Sequence, residues 1–406
     1  MKPDELRKEF PVLTARRKGK LPVYFDNACM TLKPLSVTNA MMDYYHGFPG
    51  CHGRADHDFA ARTSTAFAAA RSRLQRFFNA RSPNEIVFLR NATEGLNVLS
   101  RGIAFAPGDS VLTSELEHNS NLIPWQWAEK HRGIRRIVIP TLEDTGFDMR
   151  AFERAMDGSV KLVSLLHTSN VTGVTFPISE IVSIARKHGS LVCLDVAQSV
   201  LHQKVDVRRL GVDFMVASMH KMMGPTGMGV LYGRLELLKA LDPHLTGGDT
   251  VIDSTLNHYV PAEVPQRFEA GLQDYAGAIG AAAAADLVDR LGHRHIHRHL
   301  VELNRHITDR LSEFPGVRIL GPKDAVRRAG ICNLILKGMD AMDTARLLNE
   351  SAAVMVRPGR HCAHAFFNRR GLSESLRFSF GPYNTVSEVD QAVEAFANIH
   401  RLTYRA

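Results

Sequence analysis

The chain has 406 residues, 45% of them hydrophobic and 23% charged, with a formal net charge of +8. That length buries a large core and divides into roughly two or three domains, and no apolar run approaches the span of about 20 residues that crosses a membrane. The densest basic groups, Arg16-Arg17-Lys18, Arg135-Arg136 and Arg369-Arg370, lie far apart, so neither a clustered stripe nor a nucleic-acid-binding module is present and no nucleic acid partner is expected.

The first ten residues are charged and precede no apolar stretch, which reads as a short helix rather than a signal peptide, and a cytoplasmic location is expected. Pro22 to Asp26 opens the large domain. Glu85 to Leu89 reads as a strand, followed by the polar turn Arg90 to Gly95 and the apolar segment Leu96 to Leu99. Polar groups and free amides at such a strand-to-helix turn make a natural phosphate site. Further strands are expected at Ser110 to Thr113, Arg136 to Pro140, Leu162 to His167 and Ser190 to Asp195, with helices at Ile123 to His131 and Ile178 to His188. Phe214 to Ala217 and Val230 to Tyr232 complete a mostly parallel, seven-stranded sheet covered on both faces, an α/β architecture whose functional residues belong at the strand C-termini.

Ala276 to Val288 is alanine-rich and reads as a helical spine, continued by His293 to Leu311. Val317 to Leu320, Ile331 to Leu336 and Ser375 to Phe380 read as strands of a smaller α/β domain, with helices at Asp340 to Asn349 and Val386 to His400. The expected division is a large domain over 23–290 and a small domain made of 1–22 and 291–406.

The five cysteines, Cys29, Cys51, Cys193, Cys332 and Cys362, are odd in number and widely spaced. No CxxC occurs, which argues against a disulfide framework and against structural zinc, and no metal is expected. Cys193 and Cys332 sit beside apolar residues and read as core. Cys362 stands among Arg357, Pro358, Gly359, Arg360, His361 and His364, where nearby cations favour a thiolate.

The chemistry concentrates at two strand ends. Asp195 closes the apolar run Leu191 to Leu194 and is followed by Gln198, while Lys221 ends Ser218-Met219-His220-Lys221 after another apolar run. A lysine and a carboxylate so placed are what pyridoxal 5'-phosphate chemistry requires. The amine joins the cofactor's aldehyde, and the carboxylate keeps the pyridine nitrogen protonated.

Seven pieces in order carry a wider resemblance: Thr93-Glu94-Gly95, Glu117-His118, Ser169-Asn170, Asp195-Val196-Ala197-Gln198, Ser218 to Lys221, Arg267-Phe268-Glu269-Ala270-Gly271 and Arg357 to Ala363. The chain resembles the class V aminotransferase group of fold-type I pyridoxal phosphate transferases, and within it the branch of type II cysteine desulfurases and selenocysteine lyases. The resemblance runs from Tyr24 to Thr385. It implies that Lys221 holds the cofactor and moves the α-proton, that Asp195 pairs with the pyridine nitrogen, and that Gln198 meets the phenolic oxygen. It further implies that His118 stacks on the ring, that Thr93, Ser218 and His220 hold the phosphate, and that Asn170 orients cofactor and substrate. Arg377 binds the substrate carboxylate, with Ala28 and Arg54 at the substrate pocket. Cys362 matches the persulfide-forming cysteine. A homodimer, L-cysteine or a related amino acid as substrate, and a protein sulfur acceptor follow from the same likeness. Alternatives on this scaffold are a selenocysteine or cysteine C–S lyase and an aminotransferase.

The chain departs from the family in places. Arg360 stands where a histidine is usual. Gly53-Arg54-Ala55 replaces a histidine–arginine–glycine stretch, with His57 kept. Leu272 replaces a threonine that gives its hydroxyl to the phosphate in the neighbouring subunit. Cys29 replaces a small residue beside Ala28 and reads either as a small apolar wall residue, the favoured reading, or as a second reactive thiol.

Overall fold

The computed structural model describes residues 3–16 and 19–404, so Arg17 and Lys18 of the first basic group lie outside the described residues. A seven-stranded sheet forms the centre. Across it run Ile86–Leu89, Gly229–Gly233, Phe214–Ser218, Leu191–Asp195, Val160–Leu166, Ser110–Ser114 and Arg135–Ile139. Gly229–Gly233 is antiparallel to both neighbours, and the other adjacent pairs are parallel. The α/β class and the mostly parallel sheet are as expected.

The continuous apolar runs have a simple cause. Strand side chains alternate between faces, and both faces of this sheet are covered. Along Phe214–Ser218, Met215 and Ala217 enter one core while Phe214 and Val216 enter the other. A polar residue in the middle of such a strand would be buried on either side, so the chemical groups collect at the ends.

A second, four-stranded sheet is antiparallel throughout, in the order Val317–Ile319, Ile331–Leu336, Ser375–Ser379, Arg357–Gly359. Val23–Tyr24 pairs with Val354–Met355, and Asp26 bridges Ser379, so this segment hydrogen-bonds to the C-terminal part of the chain and not to the seven-stranded sheet. Phe25 fixes it there by packing on Phe378 and Phe380. The N-terminal helix Pro3–Arg7 also turns toward the C-terminal part. Arg7 pairs with Glu388 at 2.7 Å, and Phe10 packs on Tyr383.

The alanine-rich segment is the helix Tyr275–Leu291, laid against two helices not expected from sequence, Leu35–Gly47 and Asp58–Phe78. Its small residues permit close approach: a Cβ on Gly280 would lie 2.8 Å from Met41 and Pro225. Glu269 of the Arg267–Gly271 motif is structural. It is buried, holds Arg71 through two hydrogen bonds and accepts from the Phe88 amide. No helix among the described residues is long and apolar enough to cross a membrane.

Candidate active site

Asp195 is the last residue of its strand, and the Ala197 amide donates to its Oδ1 at 2.9 Å. Lys221 lies just past its strand, in the single turn Met219–Lys221. Both open into a cavity of about 250 Å³. For scale, a void of roughly 150 Å³ takes a bare benzene ring. Gln198, His118, Thr93, Ser218, His220 and Asn170 line the same cavity, as do Ala28, Arg377 and Cys362. Arg54 is the exception. It lies on the surface, drawn into an ion pair with Asp249, and takes no part in this cavity.

One end of the cavity is built for an anion. The helix Ala92–Gly102 begins there, capped by Asn91, and Glu94 folds back to accept from the Arg90 amide. Gly95 lets this helix sit on the strand Phe214–Ser218, because a Cβ would come within 2.7 Å of Val216. Gly229 is required for a similar reason: a Cβ would lie 2.4 Å from the Asn91 backbone. Thr93 Oγ1 lies 2.6 Å from Ser120 Oγ, and Ser218 Oγ accepts from the Ala92 amide. Hydroxyls at a helix N-terminus suit a phosphate.

The electrostatics favour uncharged side chains around the centre. Burial, with the charges of Lys221 and Arg377, pushes the His118 imidazole down to about 3. Its Nδ1 accepts from the Ser120 amide, so the proton of the neutral ring sits on Nε2. Burial likewise lowers His220 to about 4. Lys221 is held below the ordinary lysine value by burial, partly offset by Asp195, and an uncharged amine is the nucleophilic form. Burial lifts the Asp195 carboxyl.

The opposite end carries two arginines. Arg357 and Arg377 face each other across adjacent antiparallel strands, an arrangement that costs energy unless an anion stands between them. Asp26 fills that role, with oxygens 3.3 Å from Arg357 and 3.2 Å from Arg377. Arg377 is 2% exposed, donates to the Asn170 carbonyl at 2.9 Å, and keeps Nε buried with no partner. Donor capacity therefore remains for a carboxylate. Arg357, Asp26 and His361 were not singled out in the sequence as site residues. The alternation of Arg357 and Arg377 on neighbouring strands becomes visible once the register is known.

Cys362 is exposed, on a loop whose backbone is left-handed at two successive non-glycine residues, His361 at φ 49° and Cys362 at φ 56°. Each costs about 1–2 kcal/mol, and the surroundings hold the shape. Asn170 donates to the His361 carbonyl at 2.6 Å, the Asn119 amide donates to the Cys362 carbonyl at 2.7 Å, and His361 Nε2 lies 2.8 Å from Ser375 Oγ. Arg360 turns to the Ser373 carbonyl and Asn368, away from the cavity lining. Cys193 and Cys332 are buried as expected. Cys29 lines the cavity, and its sulfur accepts from Arg357 Nη1 at 2.7 Å.

A phosphate end, an amine and a carboxylate on either side of the centre, and a two-arginine end together fit a phosphorylated pyridine aldehyde plus an amino-acid carboxylate. Comparison with known proteins agrees. The family described as Aminotransferase class-V matches residues 23–392. A cysteine desulfurase of Dickeya dadantii is 37% identical over 98% of this chain and 97% of its own length. One of Synechococcus elongatus is also 37% identical over 97% of this chain, which spans 63% of that relative's length. Among solved structures, the apo cysteine desulfurase of Thermococcus onnurineus superposes with a TM-score of 0.93 at 33% identity, covering 99% of this chain and 98% of that one. The Escherichia coli cysteine desulfurase CsdA gives 0.91 at 30% identity, covering 99% of each.

Proposed function

Because the chain belongs to the class-V aminotransferase family, we propose that it is a pyridoxal phosphate-dependent cysteine desulfurase. It converts L-cysteine to L-alanine and loads the sulfur on Cys362 as a persulfide, for transfer to an acceptor. The observation that carries this reading is the exposed Cys362 in the same cavity as the half-buried Lys221 and the buried Asp195.

When bound, pyridoxal phosphate supplies an electron sink for the charge released as the substrate loses its α-proton. Thr93, Ser218 and His220 hold the phosphate at the helix N-terminus. Asp195 fixes a proton at the pyridine nitrogen. Gln198, whose Nε2 donates to the Ala28 carbonyl at 2.7 Å, meets the phenolic oxygen. The neutral ring of His118 would hold the cofactor's ring by stacking. Lys221 Nζ would hold the group through its aldehyde and would carry the α-proton. Arg377, with Arg357 and Asn170 beside it, clamps the substrate carboxylate through a planar guanidinium. The Cys362 thiolate attacks the substrate sulfur and the Cβ–S bond breaks. L-cysteine and the Cys362 thiol thus become L-alanine and the Cys362 persulfide, with no net gain or loss of electrons.

The proposed division places the cofactor site in 23–290 and the thiol loop in the unit formed by 1–22 and 291–406. The proposed assembly is a two-fold homodimer. Its support is a surface region with Leu272 at 71% exposure, Ile252 at 69% and Leu256 fully exposed. Arg54 and Asp249 lie in the same region, and the Gly271 amide is tied to Gly248.

One experiment tests the function. With L-cysteine and a reductant, alanine and sulfide should appear in equal amounts. Pyruvate in place of alanine would establish a C–S lyase. A keto-acid-dependent amino exchange would establish an aminotransferase, and a strong preference for selenocysteine would establish a selenocysteine lyase.

A further inference from the structure

We infer that Cys29 is a second sulfur-accepting thiol, loaded from the Cys362 persulfide inside the same cavity. The inference rests on the desulfurase reading and extends it by one transfer.

The placement of Cys29 is specific. Its sulfur lines the cavity together with Cys362 and Lys221. An apolar wall residue has no reason to stand 2.7 Å from a guanidinium nitrogen, as Cys29 does from Arg357. Arg377, whose buried Nε has no partner, lines the same cavity. Two thiols and two arginines therefore share one chamber, and the cations can receive negative charge on whichever sulfur carries it.

The two thiols differ in setting. Cys362 is exposed on its strained loop, whereas Cys29 is partly buried. The backbone around Cys29 is fixed, because the Ala28 amide donates to Ser379 Oγ, the Ala28 carbonyl accepts from Gln198, and the Cys29 amide donates to Asp26. A persulfide on Cys362 extends that side chain by one sulfur atom and can be attacked from inside the cavity as well as from outside.

The step balances. Cys29 gives up its thiol proton and attacks the outer sulfur of the Cys362 persulfide. A bond forms between Cys29 Sγ and that sulfur. The bond from that sulfur to Cys362 Sγ breaks, its electron pair stays on Cys362 Sγ, and Cys362 regains a proton. No oxidant or reductant is consumed. Cys362 is restored as a thiol and can accept sulfur from another substrate molecule while Cys29 stores the first.

The holoenzyme is exposed to L-cysteine without reductant, trapped by alkylation, and its peptides are weighed. Wild-type protein should carry added sulfur on Cys29 as well as on Cys362. Cys29→Ser should halve the sulfur trapped, and Cys362→Ala should remove it from both positions. Sulfur confined to Cys362 in the wild type overturns the inference, and so does sulfur on Cys29 in Cys362→Ala. Sulfur on neither thiol of the wild type overturns the desulfurase reading along with it. A second measurement needs no turnover. Dibromobimane, which fluoresces on bridging two nearby thiols, should join the Cys29 and Cys362 peptides, and its failure to do so overturns the inference.

Discussion

The amide of Asn119 donates to the carbonyl of Cys362 across 2.7 Å, so the thiol loop is fastened to the first residue of the helix that begins beside His118. The ring against which the cofactor would lie and the thiol that would take the sulfur are thus set by one short stretch of backbone. Since His361 and Cys362 both hold left-handed conformations, the loop keeps its shape because groups outside it hold it there.

Asn119→Pro tests that fastening. Proline is well tolerated at the first position of a helix and removes the backbone donor, together with the Asn119 side chain whose Nδ2 lies 2.9 Å from His364 Nδ1. His118 is already extended, at φ -61° and ψ 147°, as a residue before proline must be. Losing a hydrogen bond of about 1 kcal/mol should slow persulfide formation roughly fivefold. Cofactor absorbance should be unchanged. An unaltered single-turnover rate would show that the loop is held by other means.

Cys362→Ala should abolish alanine formation while the visible absorbance of bound cofactor remains, because Lys221 and Asp195 are untouched. In Lys221→Ala, that absorbance should vanish on dialysis and the rate should fall by at least about a hundredfold. Spectra and product assays on the two variants separate capture of the cofactor from capture of the sulfur.

Arg377→Lys retains charge but not the planar fork. Losing one charged hydrogen bond to the substrate, worth about 2 kcal/mol, should raise KM for L-cysteine roughly thirtyfold. Steady-state kinetics over a range of L-cysteine reads this directly, and a change confined to kcat would count against carboxylate binding.

Glu117 is buried, and burial with the nearby Asp195 charge lifts its carboxyl from 4.5 to about 8, against hydrogen bonds from Ser114 and Asn121 that pull it down. An acid whose folded value is raised holds a proton that the unfolded chain has released. Stability is therefore lost as pH rises from the ordinary carboxyl range toward 8. Glu117→Gln should remove that slope. Thermal unfolding at pH values across this range would show a flatter profile in the variant, and an unchanged slope would refute the assignment.

Leu272 offers no hydroxyl where the family commonly has threonine. Leu272→Thr should slow loss of cofactor on dialysis if the proposed dimer brings this residue to the partner subunit's phosphate. The same change in a protein that sedimentation shows to be monomeric should have no effect.

The sequence carried Lys221, Asp195 and Gln198 openly, because a parallel sheet buried on both faces leaves polar chemistry nowhere but the strand ends. Arg357 and Asp26 were not legible in the same way. Their roles depend on the register of Arg357 against Arg377 and on a segment 351 positions away from Arg377 in the chain. The helix Leu35–Gly47 buries Val37 and Tyr44 with few other anchors, so its periodicity is faint. The helix Asp58–Phe78, with Ala60, Thr63, Phe67, Ala70, Leu74 and Phe77 buried at helical spacing, was there to be read. Arg54 was expected at the substrate through its place in a motif; within one protomer it pairs with Asp249 on the surface, in the region of the proposed dimer contact.

The contact between Asp26 and Arg377 also bears on how the protein is made. Segments far apart in the chain are joined beside the site, through Asp26 with Arg377, Phe25 with Phe380 and Arg7 with Glu388. Contacts so distant in sequence carry a high loop-closure cost and form late. While translation has yet to deliver Arg377 clear of the ribosome, the nascent chain lacks its carboxylate clamp, whatever part of the central sheet has already formed. The thiol loop precedes that arginine in the chain, so newly synthesised protein would carry its proposed nucleophile before it could seat an amino acid.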